Sequence, residues 1–387
     1  MLKIQTLNQI SPKGLDLFPR DKYEVASEFT SPDGIILRSF KMHDMEFPSS
    51  LKAIARAGAG VNNIPIDRCS EKGIVVFNTP GANANAVKEL VLTGMLIASR
   101  DIVGGVEWVQ SIKDKEDVAK LVEKGKSNFA GNELKGKTLG VIGLGAIGAM
   151  VANTALELGM SVIGYDPYLS VEAAWELSSD IQKATGLETL LSQVDYISIH
   201  VPLLDSTKDM FNSKTFAMMK DGVKIMNFAR GGLVHNDNIK EAISNGKVSC
   251  YVTDFPTADI LGVKGIIPIP HLGASTAESE ENCAIMATKE LKDYLENGNI
   301  RNSVNFPKCY LKKKEDGKRI TVSNRNVPNI ISELTKVLAN NSINICDMLN
   351  KSRGDIAYNI IDVNGDITDS LIDELKSIDG VIAVRVV

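Results

Sequence analysis

The segment TLGVIGLGAIG, residues 138–148, decides the fold class of this 387-residue chain. Its apolar first half is typical of a buried strand, and residues 146–159 that follow are typical of a helix. Gly143, Gly145 and Gly148 give the spacing GxGxxG at the junction. The first glycine permits a tight turn, the second lets a pyrophosphate approach the backbone, and the third lets the helix pack closely on the sheet. A glycine-rich turn without a ligand is the alternative, but the strand–turn–helix context favours a dinucleotide-binding unit with phosphates at the helix N-terminus.

The next apolar run, SVIGYD, ends in an acid at Asp166. A carboxylate at this position accepts hydrogen bonds from the ribose hydroxyls of the adenosine and repels a 2′-phosphate. The following residues, 167–170, include no arginine or lysine that would receive such a phosphate. The sequence therefore favours NAD over NADP as the cofactor.

Further apolar runs at residues 195–202, 223–229 and 248–254 alternate with helical or looped connections. This alternation predicts a doubly wound parallel sheet, and the short apolar runs of residues 1–92 predict a second parallel α/β unit. Residues 318–387 follow the order βαββαβ, which is the order of the ferredoxin-like motif. We therefore predict an α/β protein with two doubly wound, Rossmann-like domains followed by a ferredoxin-like domain.

Composition excludes several classes of function. The net charge of −5 argues against a nucleic-acid partner. The one basic run, residues 312–319, is interrupted by acids, and it predicts a solvated linker. The five cysteines lack metal-ligand spacing, so we expect no metal and a reducing compartment. No apolar stretch is long enough for a membrane span and no secretory signal is present, which predicts a cytoplasmic protein without a membrane partner.

Arg230 and His271 each follow a predicted strand, so both are expected at the carboxyl edge of the sheet, where such folds bind ligands. Oxidising an alcohol beside a carboxylate requires a base for the hydroxyl proton and a cation for the carboxylate. Histidine and arginine are the residue types that this chemistry needs, although each alone could be an ordinary loop residue.

These motifs, taken together, resemble those of the D-2-hydroxy-acid dehydrogenase family over almost the whole chain. The further matching segments are LRS at 37–39, RAGAG at 56–60, NTP at 78–80, ELKGKTLG at 133–140 and HVPL at 200–203. The resemblance implies a substrate-binding domain of residues 1–92 plus 280–310, an NAD-binding domain of residues 93–279, a linker of residues 311–317 and a regulatory domain of residues 318–387.

The resemblance implies that Arg230 binds the substrate carboxylate and carbonyl oxygen, and that His271 exchanges the proton. In the family a glutamate pairs with the histidine, five positions after an aspartate that contacts the nicotinamide amide. Counting without gaps places these residues at Asp254 and Asp259, so an aspartate stands where a glutamate is usual. Asp259 is one methylene shorter, and a solvated loop acid is the alternative interpretation.

The resemblance also implies the ligand contacts. NAD would be held by Gly143, Gly145, Ala146, Ile147, Gly148, Asp166, His200, Val201, Pro202, Phe228, Ala229, Asp254, Gly273 and Ala274. The substrate would be held by Arg38, Ser39, Arg56, Gly58, Ala59 and Asn83, with the arginines on a phosphate and the backbone of the Gly58–Ala59 pair on a carboxylate. The resemblance of the Arg38–Ser39 segment to a phosphate-binding segment of the family, together with the C-terminal domain, implies 3-phosphoglycerate as the substrate.

The C-terminal segment resembles an ACT domain, a module that binds amino acids at domain interfaces. By this resemblance Asn324, Asn326 and Asn344 would hold serine through amide hydrogen bonds. Asn329 stands where these domains usually carry a glycine. An oligomerisation module is the alternative, and the family implies a homodimer or homotetramer.

The sequence is compatible with two other functions. One is reduction of glyoxylate or hydroxypyruvate by a different member of the family. The other is an NAD-sensing binding protein, like the corepressors that share the fold, although the presence of both Arg230 and His271 argues against it.

Overall fold

The structure is a computed structural model that describes residues 1–313 and 317–387, so three residues of the predicted linker, 314–316, lie outside the described residues. The strands within these ranges are β1 (Leu2–Leu7), β2 (Tyr23–Ala26), β3 (Gly34–Leu37), β4 (Ala53–Arg56), β5 (Val75–Phe77), β6 (Thr138–Ile142), β7 (Ser161–Tyr165), β8 (Gln182–Lys183), β9 (Tyr196–Ile199), β10 (Val223–Asn227), β11 (Val248–Thr253), β12 (Ile266–Pro268), β13 (Lys318–Arg325), β14 (Asn344–Arg353), β15 (Ile356–Asn364) and β16 (Val381–Val386). The helices are α1 (Pro12–Leu15), α2 (Ile66–Glu71), α3 (Ala84–Ser99), α4 (Ile102–Ser111), α5 (Val118–Gly125), α6 (Ala146–Glu157), α7 (Val171–Trp175), α8 (Leu187–Leu191), α9 (Ser213–Ala217), α10 (Asn236–Ser244), α11 (Ala277–Asn297), α12 (Ile330–Asn340) and α13 (Asp369–Ser377).

The chain divides into two compact units. One consists of residues 1–83 and 277–387, and is called here the terminal unit. The other consists of residues 84–276, and is called the central unit.

The central unit contains a parallel sheet in the order β12-β11-β10-β9-β6-β7-β8. Its middle strands are buried along almost their whole length, as expected for strands that are covered on both faces. Two hydrophobic clusters cover the sheet, one including Val141 and Met226, the other including Ile197 and Ile225. The strand order reverses between β6 and β9, so the predicted doubly wound fold is confirmed.

The terminal unit begins with a second parallel sheet, in the order β2-β1-β3-β4-β5. Helix α11 returns to this sheet from the far end of the chain and buries Ala284, Ala287 and Leu291 in a core shared with Ile4 and Ala55. This return explains why the unit is discontinuous in sequence.

The C-terminal part of the terminal unit is an antiparallel sheet in the order β14-β15-β13-β16, with α12 and α13 between its strands in sequence. The predicted βαββαβ fold is confirmed. One face of the sheet packs on the two helices, and Tyr358 and Ile360 from the other face join the core of the α11 region. The Tyr358 hydroxyl donates to the carbonyl of Gly298 at 2.7 Å.

Arg319 lies outside the solvated linker that the basic run predicted. Its guanidinium is fully buried and pairs with Asp362, with Nε–Oδ1 at 2.6 Å and Nη2–Oδ2 at 2.9 Å. Its Nη1 donates to the carbonyls of Asn297 and Leu311. Arg319 therefore ties β13 to the end of α11, and charge alternation along the sequence did not reveal this contact.

The unit boundaries fall at residues 83/84 and 276/277 instead of the predicted 92/93 and 279/280. Helix α3 accounts for the larger difference, because Val87, Val91 and Met95 pack in the core of the central unit. The structure also groups residues 318–387 with the N-terminal sheet, which is the reason it has two compact units where the sequence predicts three domains.

Candidate active site

The glycine-rich turn joins β6 to α6 in the central unit. Gly143 has φ +87°, and a Cβ there would lie 2.7 Å from the carbonyl oxygen of His200. A Cβ on Gly148 would collide with the carbonyl oxygen of Gly143. The Cβ position of Gly145, by contrast, has no atom within 4 Å. The turn is thus closed towards the protein and open at Gly145, where the N-terminus of α6 begins at Ala146 and offers backbone N–H groups to an anion.

Asp166 follows β7 and fixes the same turn. Its Oδ2 accepts from the backbone N–H of Leu144 at 2.9 Å, and its Oδ1 accepts from the N–H of Tyr168 at 2.9 Å. Each carboxylate oxygen keeps a second lone pair for a ribose hydroxyl. Asp166 therefore both shapes the turn and presents an acceptor beside it.

The other predicted cofactor residues lie at the carboxyl ends of the parallel strands. His200, Val201 and Pro202 follow β9; Phe228 and Ala229 follow β10; Gly273 and Ala274 follow β12. Burial lowers the pKa of His200 to about 3, so its ring is neutral, and its Nε2 lies 2.8 Å from the Oγ of Ser198. These residues form the edge at which doubly wound sheets bind ligands.

Arg230 stands at the end of β10 on a loop held by Asn227. The Asn227 side chain is 1% exposed; its Nδ2 donates to the carbonyl of Arg230 at 3.0 Å and its Oδ1 accepts from the N–H of Ala229 at 3.2 Å. The guanidinium itself is exposed, with Nη1 donating to the carbonyl of Ala229. A buried amide thus holds the loop while the charged group stays accessible.

Asp254 is the buried acid of this edge. It is 1% exposed, and neither carboxylate oxygen has a hydrogen-bond partner among the described residues. Burial raises its pKa, which the charges of His271 and Arg230 oppose. An unpaired buried carboxyl is costly, so the position calls for N–H donors. The carboxamide of a nicotinamide supplies such donors, and the residues present therefore fit NAD.

His271 is exposed, and its ring packs against Phe255 with centroids 4.6 Å apart. The structure does not bring Asp259 to it. The Asp259 carboxylate instead accepts from Asn236 Nδ2 at 3.1 Å and lies 3.4 Å from Lys240 Nζ. A side-chain hydrogen bond with Thr257 lowers the pKa of Asp259, and the contact with Lys240 lowers it further. The short side chain, on the turn Ala258–Ile260, is engaged by α10, and of the two acids only Asp254 has a pKa that the charge of His271 lowers.

Most of the predicted substrate residues of the terminal unit lie at the carboxyl ends of β3 and β4. The side chain of Asn8 accepts at Oδ1 from the N–H groups of Ser39 at 3.0 Å and Phe40 at 2.8 Å, which fixes the loop that carries Arg38. Arg38 Nη1 lies 2.5 Å from Glu280 Oε1, with both side chains partly exposed. Arg56 Nε donates to the carbonyl of Arg38 at 3.0 Å. The two arginines are thus brought to one loop cluster.

The Gly58–Ala59 turn is positioned by the neighbouring strand end. Gly58 has φ +150°, a backbone conformation that favours glycine, and its Cβ position lies against the Arg56 guanidinium. The Thr79 N–H donates to the carbonyl of Gly58, and Asn78 Nδ2 donates to that of Ala59 at 2.6 Å. Asn83 lies at the end of the same segment, partly buried, in the turn that precedes α3.

The three asparagines predicted to hold serine differ in their surroundings. Asn324 is buried, donating to the carbonyl of Arg325 and accepting from Asn359. Asn326 donates to the carbonyl of Gly354, and Asn344 is exposed at the start of β14. Asn329 has φ +74°, a left-handed conformation that explains why glycine is usual there and that asparagine tolerates.

Sequence reasoning missed Asn8, Asn227 as a positioning residue, Ser198 and Phe255. A polar residue at the end of an otherwise apolar strand was a usable signal for Asn227. Asn8 gave no such signal, because its partners lie about 30 residues away. No cluster of three or more histidine, cysteine or acidic side chains suited to a metal occurs in the described ranges, and no helix there is long and apolar enough to cross a membrane.

Comparison with known sequences gives three consistent results. Residues 92–273 match the model of the D-isomer specific 2-hydroxyacid dehydrogenase NAD-binding domain. A D-3-phosphoglycerate dehydrogenase of Haemophilus influenzae is 32% identical over 353 residues, which cover 88% of this chain and 82% of the relative. One of Methanocaldococcus jannaschii is 35% identical over 295 residues, and there the match covers 74% of this chain and 54% of the relative.

A hydroxypyruvate reductase of Thermotoga maritima is 38% identical over 256 residues, or 64% of this chain and 78% of the relative. Among solved structures, an NAD⁺-bound 3-phosphoglycerate dehydrogenase of Entamoeba histolytica matches with a TM-score of 0.60 and 26% identity, over 79% of this chain and 98% of that one. Together with the residues at the carboxyl ends of the central parallel strands, these matches show that the chain belongs to the D-isomer specific 2-hydroxyacid dehydrogenases, which are NAD-dependent enzymes.

Proposed function

We propose that the protein oxidises D-3-phosphoglycerate to 3-phosphohydroxypyruvate with NAD, the first step of L-serine biosynthesis. The observation that carries this proposal is the loop cluster of Arg38 and Arg56, where Asn8 holds the backbone of the first arginine and the second binds its carbonyl. Two guanidinium groups on one cluster suit a phosphate, because arginine binds phosphate oxygens through several aligned N–H donors.

The remaining substrate groups have matching partners. Arg230 would bind the carboxylate and the C2 oxygen, and its exposure leaves its N–H groups accessible for this purpose. The backbone of Gly58 and Ala59 and the side chain of Asn83 would orient the carboxylate in the terminal unit. Asp166 and the turn from Gly143 to Gly148 would hold the adenosine and pyrophosphate of NAD.

The reaction removes a hydride from C2 and a proton from the C2 hydroxyl, which leaves a carbonyl. When bound, NAD supplies the acceptor for the hydride. His271 accepts the hydroxyl proton on an imidazole nitrogen, and in the reverse direction it returns that proton to the carbonyl oxygen. Its packing against Phe255 limits the orientations of the ring.

The partner of His271 in this proposal is Asp254. Asp259 is engaged by Asn236 and Lys240, whereas the unpartnered oxygens of Asp254 can serve both a nicotinamide carboxamide and a protonated imidazole. Asp254 would thus stabilise the imidazolium that forms when His271 takes the proton. We retain Asp259 as the alternative partner, reached if its loop moves.

A panel of 2-oxo acids with NADH tests the proposal. Purified protein should oxidise NADH with 3-phosphohydroxypyruvate at a kcat/KM well above that for hydroxypyruvate or glyoxylate. A preference for either unphosphorylated acid would assign the chain to a reductase of that acid. The match to a hydroxypyruvate reductase makes this the second candidate.

We also propose that serine binds to the C-terminal domain near the exposed Asn344, and that the protein is a homodimer or homotetramer. Inhibition by added serine, lost in Asn344→Ala, would support the first point. Light scattering of the purified protein would measure the second.

A further inference from the structure

A cavity of about 770 Å³ lies beside α11 in the terminal unit. Its walls are α11, the turn at Gly81 and Ala82, and the segment of residues 299–313 that leads towards the C-terminal domain. The volume is within the range of small-molecule sites. None of the residues assigned above to cofactor, substrate or serine lines it.

The floor of the cavity contains an unsatisfied acid. Glu290 is 5% exposed; its Oε1 accepts from Asn302 Nδ2, and its Oε2 has no partner among the described residues. Burial raises the pKa of Glu290 to about 7. A buried carboxyl without a partner is costly, and a cationic group would remove that cost.

The rim of the cavity carries the opposite charge. Lys289, Lys312 and Lys313 line it, and none forms an ion pair with a residue that the structure describes. Arg301, also on the rim, is already engaged by Asp293 at 3.2 Å and lies over the Tyr310 ring at 4.4 Å. Three lysines are therefore available for an anionic group.

We propose that this cavity binds a small zwitterion of the α-amino-acid class, with its ammonium at Glu290 and its carboxylate at the rim lysines. A simple anion would satisfy the lysines but face the acid on the floor. A simple cation would satisfy the acid but pass three like charges. A molecule that carries both groups matches both parts of the cavity.

The cavity wall is connected to the loops that carry substrate residues. Gly81 and Ala82 directly precede Asn83, and the carbonyl of Asn302 accepts from the N–H of Asn78 at 3.3 Å. Asn78 in turn holds Ala59. A ligand in the cavity would therefore contact the support of the Gly58–Ala59 turn, which makes it a place for an effector.

Isothermal titration of the full-length protein with each of the twenty protein amino acids tests the proposal. Every binder is retested as its 2-oxo acid, which lacks the ammonium, and as its carboxamide, which lacks the anion. Glu290→Gln should weaken binding at least about tenfold, because it removes a charge-assisted hydrogen bond, and Lys289→Met should weaken it several-fold. Glu296→Gln is the matched control: it lies on the same helix, outside the cavity, with its carboxylate bonded to Tyr23.

Three results would overturn the proposal. The first is that no amino acid binds at about 10 mM, a concentration at which even weak complexes form. The others are that the oxo acid binds as well as the amino acid does, or that Glu290→Gln binds the amino acid as well as the wild type does. Binding that is lost in Asn344→Ala and kept in Glu290→Gln would place the ligand in the C-terminal domain and also overturn it. Lys289→Met alters an exposed side chain, so it remains informative even if Glu290→Gln fails to fold. Because titration needs no turnover, its outcome is independent of the proposed reaction.

Discussion

Replacing the two candidate acids separately, as Asp254→Asn and Asp259→Asn, identifies the partner of His271. Both substitutions preserve size and remove the charge. We expect Asp254→Asn to lower kcat strongly and Asp259→Asn to leave it almost unchanged, because of the two acids only Asp254 is buried and only its pKa is lowered by the charge of His271.

The burial of the two side chains sets the magnitudes. Asp254 is 1% exposed, and a hydrogen bond between a buried carboxylate and a charged group contributes about 1.5 to 3 kcal/mol. Its removal corresponds to a loss of roughly 10-fold to 100-fold in kcat. The Asp259 side chain is 46% exposed and pairs with Lys240 at the surface, where such pairs contribute at most about 1 kcal/mol, or fivefold.

The assay is steady-state reduction of 3-phosphohydroxypyruvate with NADH, varying each reactant in turn. Asp254→Asn should lower kcat more than it raises KM for the oxo acid, and it should raise KM for NADH if the same carboxylate holds the carboxamide. Asp254→Glu should restore part of kcat. A large loss in Asp259→Asn with near-normal activity in Asp254→Asn would refute the assignment and restore the partner that the sequence predicts.

Three further predictions concern charged groups elsewhere. Glu280→Gln should lower KM for the phosphorylated substrate by up to about fivefold, because it releases Arg38 from a partly exposed ion pair. KM for hydroxypyruvate is the control and should not change. An increase in KM for the phosphorylated acid would count against the phosphate role of Arg38. Arg319→Met should lower the free energy of unfolding by about 3 to 5 kcal/mol in urea titrations, because it leaves the Asp362 carboxylate buried without its partner. Lys318→Met is the control: its partner Asp366 is exposed, so the free energy of unfolding should fall by less than about 1 kcal/mol. Equal effects of the two substitutions would contradict the buried ion pair. The pKa of Glu290 is raised on folding from 4.5 to about 7, so its contribution to stability is fully present below pH 4.5 and is lost as the pH rises through 7. Between pH 5 and pH 8 the free energy of unfolding of the wild type should fall by about 2 to 3 kcal/mol relative to that of Glu290→Gln. Parallel curves of stability against pH for the two proteins would show that Glu290 is not buried as described.

The sequence predicts the fold well where a local pattern has one structural solution. The glycine spacing of residues 143–148 requires a turn with open and closed sides, and the structure has both. The βαββαβ order is likewise visible in the apolar periodicity. The boundary at α3 was misplaced, because an amphipathic helix reveals that it has a buried face but not the core into which that face packs.

The site shows the same division. Residues placed by backbone geometry, such as Asp166 beside the turn, were found from their position in the sequence. The partner of His271 depends on where one loop side chain points, and Asn236 and Lys240, outside the motif, decide that for Asp259. Contacts between distant segments, such as Asn8 with the Arg38 loop and Arg319 with Asp362, have no local signature in one sequence.

The ratio of kcat/KM for 3-phosphohydroxypyruvate to that for hydroxypyruvate, measured for wild type and Arg38→Met, tests the proposed substrate most directly. Charge-assisted hydrogen bonds to phosphate contribute about 1.5 to 3 kcal/mol each, so the wild-type ratio should reach at least about 100 and fall about tenfold or more in Arg38→Met, with hydroxypyruvate turnover unchanged. A wild-type ratio near or below one, or a ratio that Arg38→Met leaves unaltered, would contradict the proposal that this enzyme recognises a phosphorylated substrate through the loop cluster of Arg38 and Arg56.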